Sequence, residues 1–290
     1  MTRPPPVPFV VGLGRSGNTL LRLMLDAHPD LAIPPETDFI PEVATRCEAA
    51  EDPRAEFVRA VTGHWRFTDL RLDGAELERR VAPIEPFEVG AGLRALYGLY
   101  AEKFGKARFG DKSPFYLDHM PLVERLMPEA HFLHVIRDGR DVAVSILPLW
   151  FGPNSVRKAA PWWRDGIERA RAAGTGLRRY QELRYEDLVL DTEPTLRRVC
   201  DFIEVPFDPA MLEYHERAGE RIREVRTEGR GVRGDGVVTV EQRHAIHRMT
   251  RSPPQPDRIG RWRAELGWWE RRRFEAVAGD LLAELGYPVG

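Results

Sequence analysis

Residues 7–25 read VPFVVGLGRSGNTLLRLML, and this stretch decides the expected fold. Val7 to Gly12 is an apolar run bounded by proline and glycine, which predicts a short buried strand. The leucine-rich stretch from Thr19 to His28 predicts a mostly buried helix that ends at Pro29. The glycine-rich loop between them brings backbone N–H groups to the N-terminus of that helix, where the helix dipole favours an anion. We therefore predict a phosphate-binding loop between a strand and a helix.

Further strands and helices alternate along the chain. Strands are predicted at Leu31 to Ile33, His131 to Ile136 and Glu182 to Tyr185, and a turn at 110–114. Helices are predicted near 37–49, 53–63, 73–81, 87–104, 116–127, 138–146, 160–178, 192–203 and 268–285. This alternation predicts an α/β fold with a parallel sheet. We expect one domain over 1–290, with a helical region at about 37–105. A partly irregular segment at about 218–258 is a candidate lid.

Composition narrows the classes of protein to consider. The 290 residues carry a formal net charge of -2, so nothing suggests general nucleic-acid binding. Cys47 and Cys200 lie far apart and outside any metal-ligand spacing, which indicates free thiols in a reducing compartment. No stretch approaches the roughly 20 apolar residues that span a bilayer, and no signal-peptide pattern is present. We expect a cytoplasmic protein without membrane contact.

The loop matches two general nucleotide-binding patterns incompletely. Gly12, Gly14 and Gly17 fit the G-x-G-x-x-G dinucleotide fingerprint, as in an NAD-dependent dehydrogenase. Its acidic partner would be Glu36 or Asp38, but these follow two prolines instead of ending a strand. The loop also resembles G-x-x-x-x-G-K-[ST], with Asn18 in place of the lysine, which argues against cleavage of a β–γ phosphate bond. Arg15 lies inside the loop and favours a highly charged terminal phosphate or sulfate.

A second candidate anion site follows the strand at 131–136. Arg137 ends the strand, Asp138 is a suitable N-cap for the next helix, and Ser145 lies about two turns along it. An arginine at a strand end and a serine on the following helix can meet on one phosphate. Alternatively, Arg137 pairs with a surface carboxylate and Ser145 only packs.

With both motifs in this order, the chain resembles the sulfotransferases that use 3′-phosphoadenosine 5′-phosphosulfate (PAPS). GRSGNTLLRLMLDAHP (14–29) is similar to their 5′-phosphosulfate loop, P-R-S-G-T-T, from which Gly14 and Asn18 depart. VIRDGRDVAVS (135–145) is similar to their 3′-phosphate motif, and the resemblance continues through 183–203, 260–267 and 281–288. It is nearest to tyrosylprotein and related Golgi-type sulfotransferases and their bacterial relatives. It implies a P-loop-like, three-layer αβα fold with a central, mostly parallel sheet.

The resemblance also implies a role for each matching residue. The residues that would hold the 5′-phosphosulfate are Arg15, Ser16, Gly17, Asn18 and Thr19, with Asn18 replacing a usual threonine. Arg137 and Ser145 match the 3′-phosphate ligands, and Tyr185, Arg261 and Ser252 match nucleotide contacts. Glu36 matches the catalytic base, although an acid at this position could instead cap a helix. Lys112 matches a lysine that faces the sulfuryl group and would act with Arg15.

These roles imply in-line transfer of a sulfuryl group from PAPS to an acceptor hydroxyl, with 3′,5′-adenosine bisphosphate (PAP) as product and no metal. We interpret His244 and His247, spaced i, i+3, as a solvated helix face. Trp65, Phe67, Phe151, Trp162 and Trp163 could line the acceptor pocket or belong to the core. We expect residues 37–105 to shape that pocket, for a small or carrier-bound metabolite. The alternatives are a P-loop-like nucleotide kinase and a nucleotide-binding protein with a decayed active site.

Overall fold

The computed structural model describes residues 3–230 and 237–290. Its strands are β1 (Val7–Val11), β2 (Leu31–Ala32), β3 (Arg108–Phe109), β4 (Asp111–Lys112), β5 (Ala130–Ile136), β6 (Tyr180–Arg184), β7 (Gly229–Arg230) and β8 (Val237–Val238). The helices up to residue 126 are α1 (Asn18–Asp26), α2 (Ile40–Glu48), α3 (Pro53–Gly63), α4 (Phe67–Leu70), α5 (Gly74–Val81), α6 (Val89–Glu102) and α7 (Met120–Leu126). The later helices are α8 (Gly139–Ile146), α9 (Val156–Gly174), α10 (Tyr185–Leu190), α11 (Thr192–Phe202), α12 (His215–Ile222), α13 (Val240–Ala245), α14 (Trp262–Glu265) and α15 (Trp268–Glu284).

A parallel sheet lies at the centre of the molecule. Among the described residues it has four strands, in the order β4-β1-β5-β6. Phe9 pairs with Asp111 on one side of β1 and with Phe132 on the other. Because the strands are parallel, their carboxyl ends meet at one edge of the sheet. The glycine-rich loop, Arg137 and Tyr185 all follow strands at this edge.

The two faces of the sheet bury separate hydrophobic cores. Phe9 and Phe132 point into one core, which includes side chains of α2, α3, α6, α9 and α15. Val10 and Leu133, their neighbours along the strands, point into the other core with residues of α1, α10 and α11. Successive side chains of a strand face opposite sides of a sheet, so each strand joins both cores. The predicted α/β fold with three layers and a parallel sheet is therefore confirmed.

Several sequence-based element boundaries need correction. The predicted turn at 110–114 is wrong, because Asp111 and Lys112 form the edge strand β4. Asp111 and Lys112 are polar, so the sequence shows no alternation of apolar residues that would indicate a strand. Both side chains are nevertheless buried, because they bind polar partners elsewhere in the fold. Tyr185, predicted to end a strand, instead begins α10. Within the described residues, each helix is too short or too polar to cross a lipid bilayer.

The segment predicted as partly irregular, 218–258, is more regular than expected. It includes the end of α12, the antiparallel pair β7–β8 and helix α13. These elements are short and are held by polar contacts, so they leave no hydrophobic periodicity in the sequence. Residues 231–236 of this segment lie outside the described residues. Movement of the segment as a lid stays a prediction.

Candidate active site

A cavity of about 640 Å³ lies at the carboxyl edge of the sheet. It brings together nearly all of the predicted site residues. Those that line it are Gly14, Arg15, Gly17, Asn18, Thr19, Glu36, Lys112, Arg137, Ser145, Tyr185 and Arg261. Ser16 is fully buried and is not among the lining residues. Ser252 does not line the cavity either, and its carbonyl accepts a hydrogen bond from the Tyr214 hydroxyl at 2.7 Å, so the structure gives no support to its predicted nucleotide contact.

Two glycines fix the path of the first loop. Gly17 is the N-cap of α1 and has φ +106°, in the left-handed region that favours glycine. A Cβ at this position would lie 2.5 Å from Cδ2 of Tyr185. A Cβ on Gly12 would lie 2.5 Å from the Val135 carbonyl oxygen. The loop therefore packs directly against β5 and against Tyr185, the residue that follows β6.

Asn18 braces this loop from within. Its side-chain amide donates to the carbonyl oxygens of Gly12 at 3.0 Å and of Leu13 at 3.1 Å. Both amide N–H groups are thereby used, and the remaining Oδ1 atom accepts hydrogen bonds and would repel an anion. The usual threonine has a single hydroxyl donor, whereas the Asn18 amide can bond to both carbonyl oxygens at once. The Asn18 side chain thus has no free N–H group for an anion, and contact of Asn18 with the phosphosulfate through its main-chain N–H group stays a prediction.

The two predicted anion motifs meet in space. Arg15 Nε donates to Ser145 Oγ at 3.0 Å. Arg137 donates to the Arg15 carbonyl at 3.3 Å, and its guanidinium lies 4.3 Å from the centre of the Tyr185 ring. Burial and the nearby charge of Arg137 lower the pKa of Arg15 to about 10. The closest carboxylate to Arg137 in an ion pair is Asp141, at 3.8 Å and buried, so the alternative of a surface partner is wrong.

This arrangement fits a ligand that carries two anionic groups. Two guanidinium groups face the same cavity, and burial beside a like charge disfavours the charged form of Arg15 unless an anion binds. Ser16 Oγ and Arg137 Nε are buried donors that have no hydrogen-bond partner among the described residues. Phosphate oxygens accept hydrogen bonds from such groups with charge assistance. The chemistry of the donors thus agrees with the 5′- and 3′-phosphate groups of PAPS.

Residues 258–262 complete the wall of the cavity beside Arg137. Asp141 accepts hydrogen bonds from the main-chain N–H groups of Gly260 at 2.7 Å and Trp262 at 2.9 Å, which holds this segment beside α8. Arg261 lines the cavity, and its Nε donates to Glu265 at 2.7 Å. Arg258, which sequence reasoning missed, also lines the cavity, and its carbonyl accepts from Arg137 at 2.6 Å. The surrounding SPPQPDR stretch has no periodicity that could have indicated it.

Glu36 lies at the centre of a half-buried ion cluster. Its Oε1 atom is 2.6 Å from Lys112 Nζ, and its Oε2 atom is 2.9 Å from Arg66, which also pairs with Asp38 at 2.5 Å. Burial alone would raise the pKa of Glu36, but Lys112 and Arg66 outweigh it and hold the pKa well below its usual range. Burial also lowers the pKa of Lys112. Because α2 begins only at Ile40 and both carboxylate oxygens are paired, the helix-capping alternative for Glu36 is wrong.

The two histidines of α13 and its C-terminus do not form a solvated face. His244 bonds through its ring Nε2 to the Val225 carbonyl at 2.8 Å. His247 lines the cavity, where burial and Lys112 keep its pKa well below the usual range. The prediction of a solvated face was wrong, because His244 bonds to a main-chain carbonyl and His247 lines the cavity. The i, i+3 spacing carried no signal of this tertiary placement.

The aromatic side chains divide between cavity and core. Trp65, Phe151 and Trp162 line the cavity, whereas Phe67 and Trp163 belong to the hydrophobic core. Arg66, which sequence reasoning also missed, lies 4.2 Å from the centre of the Trp65 ring. The helical region that begins at residue 37 thus contributes one wall, next to Glu36.

The sequence pattern described as “Sulfotransferase family” matches residues 6–209 of the chain. The chain belongs to the sulfotransferase family. This membership supports sulfuryl transfer as the class of reaction. Both predicted anion motifs, at 14–29 and 135–145, lie within the matched residues.

Several relatives with assigned names align with this family member. Protein-tyrosine sulfotransferase A of Caenorhabditis elegans is 28% identical over 76% of the chain and 55% of its own length. The Drosophila melanogaster protein-tyrosine sulfotransferase is 30% identical over 73% of the chain and 40% of its own length. The human protein-tyrosine sulfotransferase 1 is 29% identical over 97% of the chain and 70% of its own length. The chain thus spans about half of the length of the first two relatives.

Solved structures of sulfotransferases share the fold. The sulfotransferase domain of the Synechococcus olefin synthase aligns with a TM-score of 0.64 and 23% identity, covering 100% of the chain and 98% of the domain. The sulfotransferase domain from the curacin biosynthetic pathway aligns with a TM-score of 0.62 and 21% identity, covering 100% of both chains. Mouse sulfotransferase SULT7A1, complexed with PAP, aligns with a TM-score of 0.52 and 13% identity, covering 98% of this chain and 86% of the mouse chain. The predicted P-loop-like αβα fold is confirmed.

Proposed function

We propose that this chain transfers a sulfuryl group from PAPS to an acceptor hydroxyl, with Glu36 as the base. One observation carries the proposal: the Arg15–Ser145–Arg137 cluster and the Glu36–Lys112 pair line the same cavity. The first group supplies donors for two phosphates. The second places a carboxylate and an ammonium group together, as proton transfer and charge stabilisation require. Family membership supports the same reaction class.

The nucleotide would bind along the carboxyl edge of the sheet. The main-chain N–H groups of the first loop and the side chains of Arg15, Ser16 and Thr19 would hold the 5′-phosphosulfate. Arg137 and Ser145 would hold the 3′-phosphate, with Tyr185 and Arg261 as further nucleotide contacts. The residues proposed for the two phosphates are in direct contact through the bond from Arg15 Nε to Ser145 Oγ. A ligand with phosphates at both positions therefore engages both motifs at once.

Bound PAPS supplies the sulfuryl group, and its transfer leaves PAP. Lys112 and Arg15 would stabilise the negative charge on the leaving and peripheral oxygens, as in phosphoryl transfer. Glu36 would take the proton of the acceptor hydroxyl. In the ion cluster its low pKa makes it a weak base. If Lys112 turns towards the ligand, Glu36 loses one of its two cations, so its pKa rises and its carboxylate becomes a stronger base.

The acceptor is proposed to be a hydroxyl-bearing small or carrier-bound metabolite. The names of the relatives give protein tyrosine as their substrate, which shares the hydroxyl group. We also propose a cytoplasmic location, because Cys47 and Cys200 are both free and buried. The proposal includes no metal, nucleic-acid or membrane partner.

A first experiment separates the proposed function from its alternatives. Thermal unfolding is measured with PAP, ATP or NAD at equal concentration. Stabilisation by PAP alone supports a PAPS site, whereas stabilisation by ATP alone indicates a kinase and by NAD alone a dehydrogenase. Transfer of radiolabelled sulfate from PAPS to a library of phenols, sugars and hydroxy acids then distinguishes an active enzyme from a decayed one.

The variant Glu36→Gln tests the proposed base. We expect kcat to fall by roughly 10²–10⁴, because a general base is lost, while PAP affinity is unchanged. Glu51→Gln is the matched control, since Glu51 is an exposed acid that does not line the cavity. Full turnover in Glu36→Gln contradicts the assignment of the base.

A further inference from the structure

His247 occupies a position from which it can reach the transfer centre. Its side chain shares the cavity wall with Glu36, Lys112 and Arg15. The preceding carbonyl, of Ile246, accepts a hydrogen bond from the Arg15 guanidinium at 3.1 Å. The main chain at His247 is thereby fixed beside a residue of the phosphate-binding loop, although 231 positions separate Arg15 from Ile246.

Polar contacts hold α13, the short helix that ends two residues before His247, in place. Thr239 and Gln242 form a capping box at the N-terminus of α13. Arg243 pairs with the buried carboxylate of Asp69 at 3.0 Å, which ties α13 to α4. His244 bonds to the Val225 carbonyl. Because α13 ends at Ala245, these contacts also restrain His247, which lies two residues further along the chain.

The surroundings of the His247 ring keep the imidazole neutral. Burial is the largest cause, and the charge of Lys112 adds to it, so the pKa lies well below its usual range. A neutral imidazole has one N–H donor and one acceptor nitrogen. No hydrogen bond joins this ring to another described residue, in contrast to the ring of His244. Both nitrogens are therefore available to a ligand in the cavity.

Glu36 cannot hold an acceptor hydroxyl firmly without help. Both of its oxygens are paired with cations, and these pairs fix the carboxylate rather than the incoming hydroxyl. An attacking oxygen needs a second contact to define its direction, because orientation is a large part of transfer catalysis. The neutral His247 ring can supply this second contact, because it offers a hydrogen bond to the attacking oxygen without adding a charge to the site.

We propose that His247 is an acceptor-binding residue, whose imidazole hydrogen-bonds the oxygen of the acceptor hydroxyl while Glu36 takes the proton. The inference rests on the proposed sulfuryl transfer and names a further residue of the same site. The class of ligand is an alcohol or phenol, presented to the cavity next to Glu36 and Lys112.

The test compares wild type, His247→Ala and His247→Asn, with Arg248→Ala as the matched control because its side chain is exposed. The probe is 4-nitrophenol, and two quantities are measured. Equilibrium dialysis gives its Kd for the PAP-saturated protein, and the transfer assay gives kcat/KM with PAPS. Calorimetry with PAP reports on the nucleotide side separately.

For His247→Ala we expect Kd for 4-nitrophenol to rise and kcat/KM to fall by about 10- to 100-fold, the range for a lost hydrogen bond. PAP affinity should stay within twofold, and His247→Asn should recover part of the loss through its amide. Equal 4-nitrophenol binding by His247→Ala and wild type overturns the proposal, as does a parallel loss of PAP affinity. A wild type that binds 4-nitrophenol but transfers no sulfate contradicts the proposed function instead, and the Kd comparison still decides the role of His247.

Discussion

Replacement of Asp111 by asparagine should change how the stability of the protein depends on pH. Asp111 lies on β4, immediately before Lys112, and is fully buried. Its Oδ2 atom accepts hydrogen bonds from Thr37 at 2.8 Å and Tyr97 at 3.0 Å. Burial is the largest influence and raises the pKa of Asp111 to about 6, although these hydrogen bonds oppose it. Asparagine keeps the shape and an acceptor oxygen but cannot ionise.

The sign and size of the effect follow from this pKa. A carboxyl with a raised folded-state pKa favours folding fully at a pH below its unfolded value, 3.8, and this contribution is lost as the pH rises through about 6. Two pKa units correspond to about 3 kcal/mol of unfolding free energy. Relative to Asp111→Asn, the wild type should therefore lose about 3 kcal/mol of stability between about pH 4 and pH 7.

Urea unfolding at intervals across this pH range measures the difference directly. Subtracting the free energy of the variant from that of the wild type removes the contribution of every other titrating group that the substitution leaves alone. Asp201→Asn, at an exposed position of α11, is measured over the same pH range as the control variant. A wild-type-minus-Asp111→Asn difference that stays constant, or that grows towards neutral pH, refutes the reasoning.

Two further substitutions address the nucleotide side of the cavity. Arg137→Gln should weaken PAP binding by about 1.5–3 kcal/mol, the usual cost of a lost charge-assisted hydrogen bond, with Arg157→Gln as an exposed control. Calorimetry checks this, and an unchanged Kd for PAP contradicts the phosphate role. Gly17→Ala should lower the unfolding free energy by about 1–3 kcal/mol, since φ is +106° and the added Cβ meets the Tyr185 ring. Gly63→Ala, with open space around its Cβ, is its control in denaturant unfolding, and equal stability of the two variants contradicts the strain argument.

The sequence predicted those parts of the candidate site whose residues lie close together along the chain. The glycine-rich loop, the strand before it and Arg137 after β5 are local patterns, and each was found close to its observed place. Glu36 and Lys112 were named only through the resemblance, and the structure places them 2.6 Å apart. Their pairing depends on β4, which the sequence indicated as a turn.

Residues that reach the cavity from distant segments left no local signal. Arg66 follows Trp65 just before a four-residue helix, and Arg258 lies in a proline-rich stretch. His247 follows the polar helix α13, which is tied to the rest of the molecule by the bond from Arg243 to Asp69. Hydrophobic periodicity reports which face of a long element is buried, so it cannot report a polar contact made by a short one.

Asn18 and Gly12 couple the positions of the two proposed anion motifs. Its amide holds the Gly12 and Leu13 carbonyls, while its Oδ1 atom lies 2.6 Å from where a Gly12 Cβ would be. The same Cβ would meet the carbonyl of Val135 on β5, two residues before Arg137. Gly12 is thus packed between α1 and β5, and any shift of one motif must move the other. A rigid spacing between the loop and Arg137 suits a ligand whose two phosphates lie at a fixed separation, because little ordering remains for binding to bring about.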